Sequence, residues 1–468
     1  MSAWLPPVSI HSFVIVASVL AYILTTRAER ERRPPSIAIA WVLGMIALPY
    51  LVLPMYLMFG RRKLPRKILR RSAAARSFAG HWAQDLIESF GLAAASPAAI
   101  NMHQDGRDSA AALFSLMASA VSRLDICTYI LGDDAFGRKA MQLMMERARS
   151  GVEVRLLLDG VGALQVHRSC LRSLESHGVE TAIFSPLFAR KTQGPRNLRN
   201  HRKMVIADGA NLWAGGRNLA AEYFSGVGGA PAWRDLTFDL RGPVASAAAS
   251  QFESDWVAAG GKAAAAYVAA GCAGAAEAAG AGGIRSEPAL LSQAQFLPSG
   301  PDQTEDTVHA LLIDACFQAR DRMLATTPYF VPDVSLETAM RLAARRGVRI
   351  DLCIPASSNH RLADFARNRA LRSLSQAGVN VHLLPYMSHA KAVVLDDSLA
   401  FSGSVNLDSR SLLLNYECGI VFYGLTEINW LAKWIDALIE EAVPFDCRSP
   451  GLLRDLCEGL LLTVAYQL

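Results

Sequence analysis

The pattern His-x-Lys-x4-Asp occurs twice in this chain of 468 residues. The first copy comprises His201, Lys203 and Asp208, and the second comprises His389, Lys391 and Asp396. Each copy is followed by a glycine-containing segment that ends in asparagine, at Asn218 and Asn406. Two copies with one internal spacing and the same second element indicate a duplicated site that cleaves phosphodiesters.

The residue types suit chemistry at a phosphodiester, which is an anion. A neutral imidazole is a good nucleophile near neutral pH, and a second imidazole can protonate the departing alkoxide. Lysine and asparagine side chains can hold the phosphate oxygens on which charge develops. In an extended segment, residues i and i+2 point to one face, so each histidine can share a pocket with its lysine.

The elements that position these side chains can be predicted from the residues that follow. The apolar stretches 204–207 and 392–395 come directly after the two lysines and predict buried strands, which are rigid supports. Asp208 and Asp396 lie beyond those stretches, where the chain should turn. We therefore favour a structural role for these two aspartates, although both belong to the candidate catalytic motif.

A longer internal repeat surrounds the motifs. The segment 129–133 matches 329–333, and 151–156 matches 347–352. In each half a helical stretch separates the first of these segments from the second, which is a predicted strand. Strands that alternate with amphipathic helices predict an α/β fold with a mainly parallel sheet.

The repeat also predicts the division of the chain. We expect two similar halves at 72–258 and 291–468, separated by the Ala/Gly-rich residues 259–290. The separating stretch could be a flexible linker or a low-complexity helix, and its many glycines favour the linker.

Residues 1–71 are expected to anchor the protein in a membrane. The apolar segments 8–26 and 35–59 are each long enough to cross roughly 30 Å of hydrocarbon as a helix, and Pro49 and Pro54 should kink the second. A cleaved signal peptide is disfavoured because the positively charged start is missing and a second apolar segment follows. A shallow hairpin that does not fully cross is an alternative.

Charge is concentrated in the same region. Residues 1–71 carry a net charge of +9, and seven of the cations lie at 61–71, which favours a cytoplasmic catalytic portion. This basic cluster could bind anionic lipid headgroups or act only as a stop-transfer flank. The remainder of the chain is net acidic, which argues against a nucleic-acid partner. No Cys-x-x-Cys or histidine-rich cluster indicates a metal, so we expect neither a metal nor another cofactor.

The chain resembles the phospholipase D superfamily and, within it, the bacterial cardiolipin synthases. The two motifs carry the wider resemblance. The narrower one depends on the segments 49–60, 233–235, 298–302, 327–333, 406–411 and 415–417. Two positions depart from the family, which more often has serine where Gly216 stands and glycine where Val52 stands. The resemblance implies two halves packed face to face around one site.

The resemblance also implies roles for individual residues. His201 is expected to attack phosphorus and form a phosphohistidine, while His389 acts first as acid and then as base. By position in the sequence, Asp235 should be the carboxylate partner in the first half and Glu417 in the second, with Glu222 competing in the first. Ser299 and Asp302 are expected to form a loop rather than to catalyse.

The implied function is synthesis of cardiolipin and glycerol from two molecules of phosphatidylglycerol, at a bacterial inner membrane that the chain crosses more than once. The alternative is a membrane-bound phospholipase D, because both reactions share the covalent half-reaction. A nuclease is disfavoured by the two apolar segments, and an inactive scaffold is disfavoured by the intact motifs.

Overall fold

A computed structural model describes residues 10–29, 35–60, 63, 80–186, 197–263, 291–448, 450, 451, 454 and 458. Most of the predicted Ala/Gly-rich linker, residues 264–290, lies outside the described residues, as does the basic cluster at 61–71 apart from Lys63.

The elements up to Ala258 comprise three amino-terminal helices and the helices and strands of the first half. The helices are α1 (Ile10–Glu29), α2 (Pro35–Ala47), α3 (Pro49–Phe59), α4 (Trp82–Ser89), α5 (Gly106–Ser119), α6 (Ala135–Arg149), α7 (Arg168–Ser176) and α8 (Pro243–Ala258). The strands are β1 (Ser96–His103), β2 (Arg123–Thr128), β3 (Glu153–Asp159), β4 (Val179–Phe184), β5 (Met204–Ala207), β6 (Asn211–Gly215) and β7 (Thr237–Arg241). Short 3-10 turns cover Gly162–Gln165 and Ala221–Tyr223.

The second half repeats this order. Its strands are β8 (Ser292–Ser299), β9 (Arg322–Thr326), β10 (Phe330–Val331), β11 (Arg349–Pro355), β12 (Asn380–Leu384), β13 (Ala392–Leu395), β14 (Leu399–Gly403), β15 (Leu407–Asp408), β16 (Glu417–Phe422) and β17 (Val443–Pro444). Its helices are α9 (Thr307–Gln318), α10 (Val334–Arg345), α11 (Arg361–Gln376), α12 (Ser409–Leu413) and α13 (Leu425–Glu440).

The prediction of a mainly parallel sheet is wrong. The large sheet has fifteen described strands in the order β17-β12-β11-β9-β13-β14-β16-β8-β1-β7-β6-β5-β2-β3-β4. Among these strands, parallel pairing is confined to the blocks β2-β3-β4 and β9-β11-β12. Within each block, helices form the crossovers that parallel neighbours require. The motif strands β5 and β13 are followed by three-residue turns, 208–210 and 396–398, and such short turns can join only antiparallel strands.

The two halves form one continuous sheet as well as two similar units. Strands β1 and β8 pair antiparallel at the centre of the strand order and so join the half-sheets edge to edge. One buried hydrophobic cluster contains side chains from both halves, including Phe238 and Phe422, whose ring centroids are 5.2 Å apart. The shared core fixes the halves relative to each other.

The amino-terminal helices α1, α2 and α3 pack together around the buried side chains of Tyr22, Met45 and Tyr56. The second predicted apolar segment breaks at Leu48, directly before Pro49, since proline cannot supply the amide proton that a continuing helix needs. None of the helices in the described residues is both long enough and apolar enough to cross a membrane.

Candidate active site

The histidine and lysine of each motif lie just before a buried strand, β5 or β13, and both lysines are only 1% exposed. The backbone of each lead-in segment pairs with the opposite half. The amide of His201 donates to the carbonyl oxygen of Tyr416 at 2.8 Å, and that of His389 donates to the carbonyl oxygen of Arg234 at 2.6 Å. The backbone bond to Tyr416 therefore brings the first motif next to Glu417. The bond to Arg234 brings the second motif next to Asp235.

The histidine of each half consequently binds the carboxylate of the other half, and we call these crossed pairs. His201 Nδ1 lies 3.0 Å from Glu417 Oε1, and His389 Nδ1 lies 2.8 Å from Asp235 Oδ2. The expectation that Asp235 pairs within the first half and Glu417 within the second is therefore wrong. In the described part of the chain, Glu222, the competing carboxylate, has no hydrogen bond to either histidine. The backbone bridges between the halves decide which carboxylate binds which histidine.

The space beside Gly216 is occupied by the Asp235 carboxylate. A Cβ atom at Gly216 would overlap the Asp235 carboxylate, so a serine cannot be accommodated without movement. At the equivalent position of the second half, Ser404 Oγ donates to Glu417 Oε2 at 2.5 Å.

Burial and charge set the protonation states of the two pairs. Burial alone would raise the pKa of Asp235 and of Glu417, but the adjacent histidines and lysines hold both pKa values below their usual range. Burial lowers the pKa of His201, with Glu417 opposing, and lowers that of His389 to about 3 with help from Lys391. Each neutral imidazole can donate from Nδ1 to an ionised carboxylate, which leaves Nε2 as the reactive nitrogen.

The lysines connect the two pairs into one pocket. Lys391 Nζ lies 2.9 and 3.1 Å from the ring nitrogens of His389, and Lys203 Nζ donates to the carbonyl oxygen of His201 at 2.8 Å. Charge on Lys203 also lowers the pKa of His389, and charge on Lys391 lowers that of His201. The four side chains therefore share one electrostatic environment.

Aromatic rings that we had not predicted as site residues surround the histidines. Tyr129 meets the His201 ring edge-on at a centroid distance of 5.0 Å. His389 contacts the rings of Tyr223, Trp233 and Tyr329 at 5.1, 5.8 and 6.4 Å. Tyr129 and Tyr329 occupy matching positions of the internal repeat, which was the available indication of a shared role. Among these aromatic rings, the His389 side chain is 4% exposed and the His201 side chain is 13% exposed.

A buried arginine within the first motif braces the segment that carries His201. Arg202 is fully buried, forms an ion pair with Asp255 and donates to both carboxylate oxygens of Asp302 at 3.0 and 2.9 Å. It also donates to the backbone carbonyl oxygens of Glu417 and Ser299. Asp302 therefore lies in the loop that the sequence predicted, whereas Ser299 is the last residue of strand β8.

Lys63, from the basic cluster, contacts the same loop. Its Nζ donates to the carbonyl oxygens of Gly300 and Gln303 at 3.0 and 3.2 Å and lies 2.8 Å from Asp306 Oδ1. This member of the cluster therefore binds protein oxygens.

The side-chain amides of the motif asparagines donate within their own loops, and Asn218 Oδ1 also accepts the backbone amide of Ile130 at 3.3 Å. Asn218 Nδ2 donates to the Tyr223 hydroxyl at 2.8 Å, and Asn406 Nδ2 donates to Ser411 Oγ at 3.2 Å. Both asparagines thus brace the segment that follows the motif, and their contact with phosphate stays a prediction.

Sequence comparison decides the family. The model described as cardiolipin synthase, PLD-like domain, matches residues 113–256 and 312–439, and a phospholipase D-nuclease N-terminal model matches residues 14–61. Cardiolipin synthase A of Pseudomonas aeruginosa is 30% identical, over 94% of this chain and 92% of that protein. This chain belongs to the cardiolipin synthase family.

Further relatives agree with this membership. Cardiolipin synthase A of Pseudomonas putida (strain W619) is 29% identical, over 87% of this chain and 86% of that protein. Among solved structures, phosphatidylserine synthase of Haemophilus influenzae covers 82% of this chain and 100% of its own, with a TM-score of 0.59 and 14% identity. That likeness concerns the fold.

The third residue of each motif lies outside the pocket in this member of the cardiolipin synthase family. The Asp208 carboxylate accepts the backbone amides of Val121, Ser122 and Arg123, and Asp396 accepts those at 320–322. Both aspartates adopt left-handed backbone angles, with φ of 52° and 45°. Their inclusion among the catalytic candidates is not supported by this geometry, whereas the structural role that we favoured matches it.

Asp208→Asn is therefore expected to lower stability rather than the rate per folded molecule. Asparagine tolerates the left-handed conformation but loses the charge that several amides share, for a cost of about 1–3 kcal/mol. Thermal unfolding and turnover normalised to folded protein would be compared with the wild type. A catalytic loss at an unchanged melting temperature would contradict this assignment.

The pKa shifts also predict the pH dependence of kcat/KM. Burial lowers the pKa of Lys203 to about 8 and of Lys391 to about 7, so both lose their positive charge as pH rises through that window. The histidine pKa values are lowered, so the neutral nucleophile persists below pH 6.5. We expect kcat/KM to fall with rising pH between about pH 7 and 8, and to fall with decreasing pH below about 6.5. A flat rate up to pH 10 would contradict this prediction.

Proposed function

We propose that this chain is a cardiolipin synthase, which transfers a phosphatidyl group between two phosphatidylglycerol molecules and releases glycerol. The observation that carries the proposal is one pocket in which two histidines are each held by a carboxylate and accompanied by a lysine. Membership of the cardiolipin synthase family supports the choice of lipid substrate.

In the first step, His201 is the proposed nucleophile because its side chain is more exposed than that of His389. Glu417 binds its Nδ1, so Nε2 attacks phosphorus. A phosphorus–nitrogen bond forms while the bond from phosphorus to the glycerol oxygen breaks, and His389 gives its proton to that oxygen. Lys203 and Lys391 offset the charge on the phosphate oxygens, with Asn218 and Asn406 as further proposed donors.

The second step uses the same groups in reverse. His389 takes a proton from a hydroxyl of the second phosphatidylglycerol, whose oxygen attacks phosphorus as the bond to His201 breaks. Burial and Lys391 lower the pKa of His389, and the negative charge of a substrate phosphate beside the ring would raise this pKa, so that His389 can carry the proton. One phosphodiester replaces another, so the reaction needs no nucleotide, metal or other cofactor.

Hydrolysis as a phospholipase D is the alternative, and the two reactions differ in what reaches the phosphohistidine. The aromatic walls around His389 restrict water at the position from which the second nucleophile is activated. This enclosure favours transfer to a lipid hydroxyl that displaces water on binding.

We further propose that residues 1–71 attach the enzyme to the bacterial inner membrane, with the catalytic portion in the cytoplasm. The outer surfaces of α1, α2 and α3 carry exposed large apolar side chains, among them Phe13, Leu20, Leu43 and Leu51. Many exposed large apolar side chains on neighbouring helices are typical of lipid contact. The net positive charge of residues 1–71 suits anionic lipids.

Product analysis from vesicles of pure phosphatidylglycerol tests the function. The purified full chain should form cardiolipin and glycerol in equal amounts, without CDP-diacylglycerol and in the presence of EDTA. His201→Ala provides the inactive control. Formation of phosphatidic acid and glycerol, with no cardiolipin, would identify a phospholipase D instead.

A further inference from the structure

The two halves carry opposite charges at one equivalent position near the pocket. Glu222 and Arg410 each stand four residues after a motif asparagine, Asn218 or Asn406. The residues around each side chain show which histidine it lies nearer.

Glu222 lies at the His389 end. It is half-buried, burial raises its pKa, and a hydrogen bond with the Tyr223 side chain opposes that rise. The Tyr223 ring is 5.1 Å from the His389 ring. The charge of Glu222 also contributes to the raised pKa of Tyr329, for which burial is the larger cause. Trp233 is tied to this turn because its amide donates to the Glu222 carbonyl oxygen at 2.8 Å.

Arg410 lies at the His201 end. It donates to the carbonyl oxygen of Asn197 at 2.8 Å. Burial raises the pKa of Tyr129 to about 12, and the charge of Arg410 opposes this. Since the Tyr129 ring packs against His201 at 5.0 Å, the guanidinium belongs to that end of the pocket. The repeated position therefore carries a negative charge on the His389 side, at Glu222, and a positive charge on the His201 side, at Arg410.

The described contacts do not account for the charge of Glu222. Asp235 already occupies His389 Nδ1 at 2.8 Å. Within the described residues, no basic side chain forms an ion pair with the Glu222 carboxylate, and its identified hydrogen-bond partner is Tyr223. A half-buried carboxylate beside aromatic rings can accept hydroxyl groups while the rings cover a carbon backbone, which is the chemistry that recognises a neutral polyol.

We propose that Glu222, together with the rings of Trp233 and Tyr329, forms the subsite that binds the free hydroxyls of the glycerol headgroup beside His389. The inference rests on the proposed function. In that reaction glycerol leaves beside His389, and the headgroup of the second phosphatidylglycerol enters at the same place. The carboxylate of Glu222 accepts hydroxyl groups and disfavours an anion beside it. Glu222 would thus set the preference for a polyol over a simple alcohol.

Competition between two alcohols tests the subsite. The full chain would be supplied with phosphatidyl p-nitrophenol and equal concentrations of glycerol and 1-propanol, and the ratio of phosphatidylglycerol to phosphatidylpropanol measured. This ratio does not depend on how much of the enzyme is active. Glu222→Leu is expected to lower it by roughly tenfold or more, as loss of a hydroxyl-binding group does. Glu222→Gln, which keeps a hydrogen-bonding side chain, should lower it less.

Glu180→Gln is the matched control, because Glu180 is an exposed carboxylate of the same half on β4, and its ratio should equal that of the wild type. If Glu222→Leu does not fold, a ratio in Glu222→Gln equal to that of the wild type overturns the subsite. An unchanged ratio in both variants overturns it too, as does a wild-type preference for ethanolamine over glycerol, which would indicate an ammonium site. Failure of the wild type to make cardiolipin would instead refute the proposed function.

Discussion

His201→Ala should form no phosphatidyl adduct from any substrate, whereas His389→Ala should accumulate one from phosphatidyl p-nitrophenol. The p-nitrophenolate ion leaves without a proton, so the first step can proceed slowly when the acid His389 is missing. The adduct then persists because no base activates the second nucleophile. Intact-protein mass spectrometry after a quench that avoids acid would show one added phosphatidyl mass.

The wild type under the same conditions is the control and should show little adduct when an acceptor alcohol is present. An adduct that forms in His201→Ala and is absent in His389→Ala would mean that the two roles are exchanged. The absence of an adduct in both variants and in the trapped wild type would favour direct transfer in a single step.

The sequence predicted the local geometry of the motifs because that geometry depends on neighbouring residues. The apolar stretches after the two lysines form the strands β5 and β13, and Asp208 and Asp396 make the turns that end them. The prediction of a mainly parallel sheet fails because helical crossovers join only two blocks of strands and not the whole repeat. The three-residue spacers at 208–210 and 396–398 are too short for a crossover and permit only antiparallel neighbours.

The partners of the histidines could not be derived from spacing along the chain. Glu417 is 216 residues from His201, and Asp235 is 154 residues from His389. Their pairing depends on backbone bridges between the halves, at Asn200 and Tyr416 and at Arg234 and Ser388, which exist only after the halves associate. A repeat predicts that two sites are similar, but not that each half completes the site of the other.

The crossed pairs predict that Glu417→Gln and Asp235→Asn impair different steps. Glu417 orients the proposed nucleophile His201, so its loss should slow adduct formation even from phosphatidyl p-nitrophenol. Asp235 orients His389, so its loss should spare that step and slow the breakdown of the adduct. Each affected rate should fall by roughly 10²–10⁴, the usual contribution of a positioned acid–base group. Rapid-quench mass spectrometry would measure both steps.

Asp351→Asn provides a matched control, because Asp351 is buried and lies 2.9 Å from His382 Nε2 in a carboxylate–histidine pair of the second half. It should lower stability without changing either step per folded molecule, which separates lost orientation from lost folding. If each carboxylate served its own half, Asp235→Asn would block adduct formation and Glu417→Gln would slow its breakdown. The step that each substitution affects therefore distinguishes crossed from uncrossed pairing, because the adduct forms on one histidine and its breakdown depends on the other.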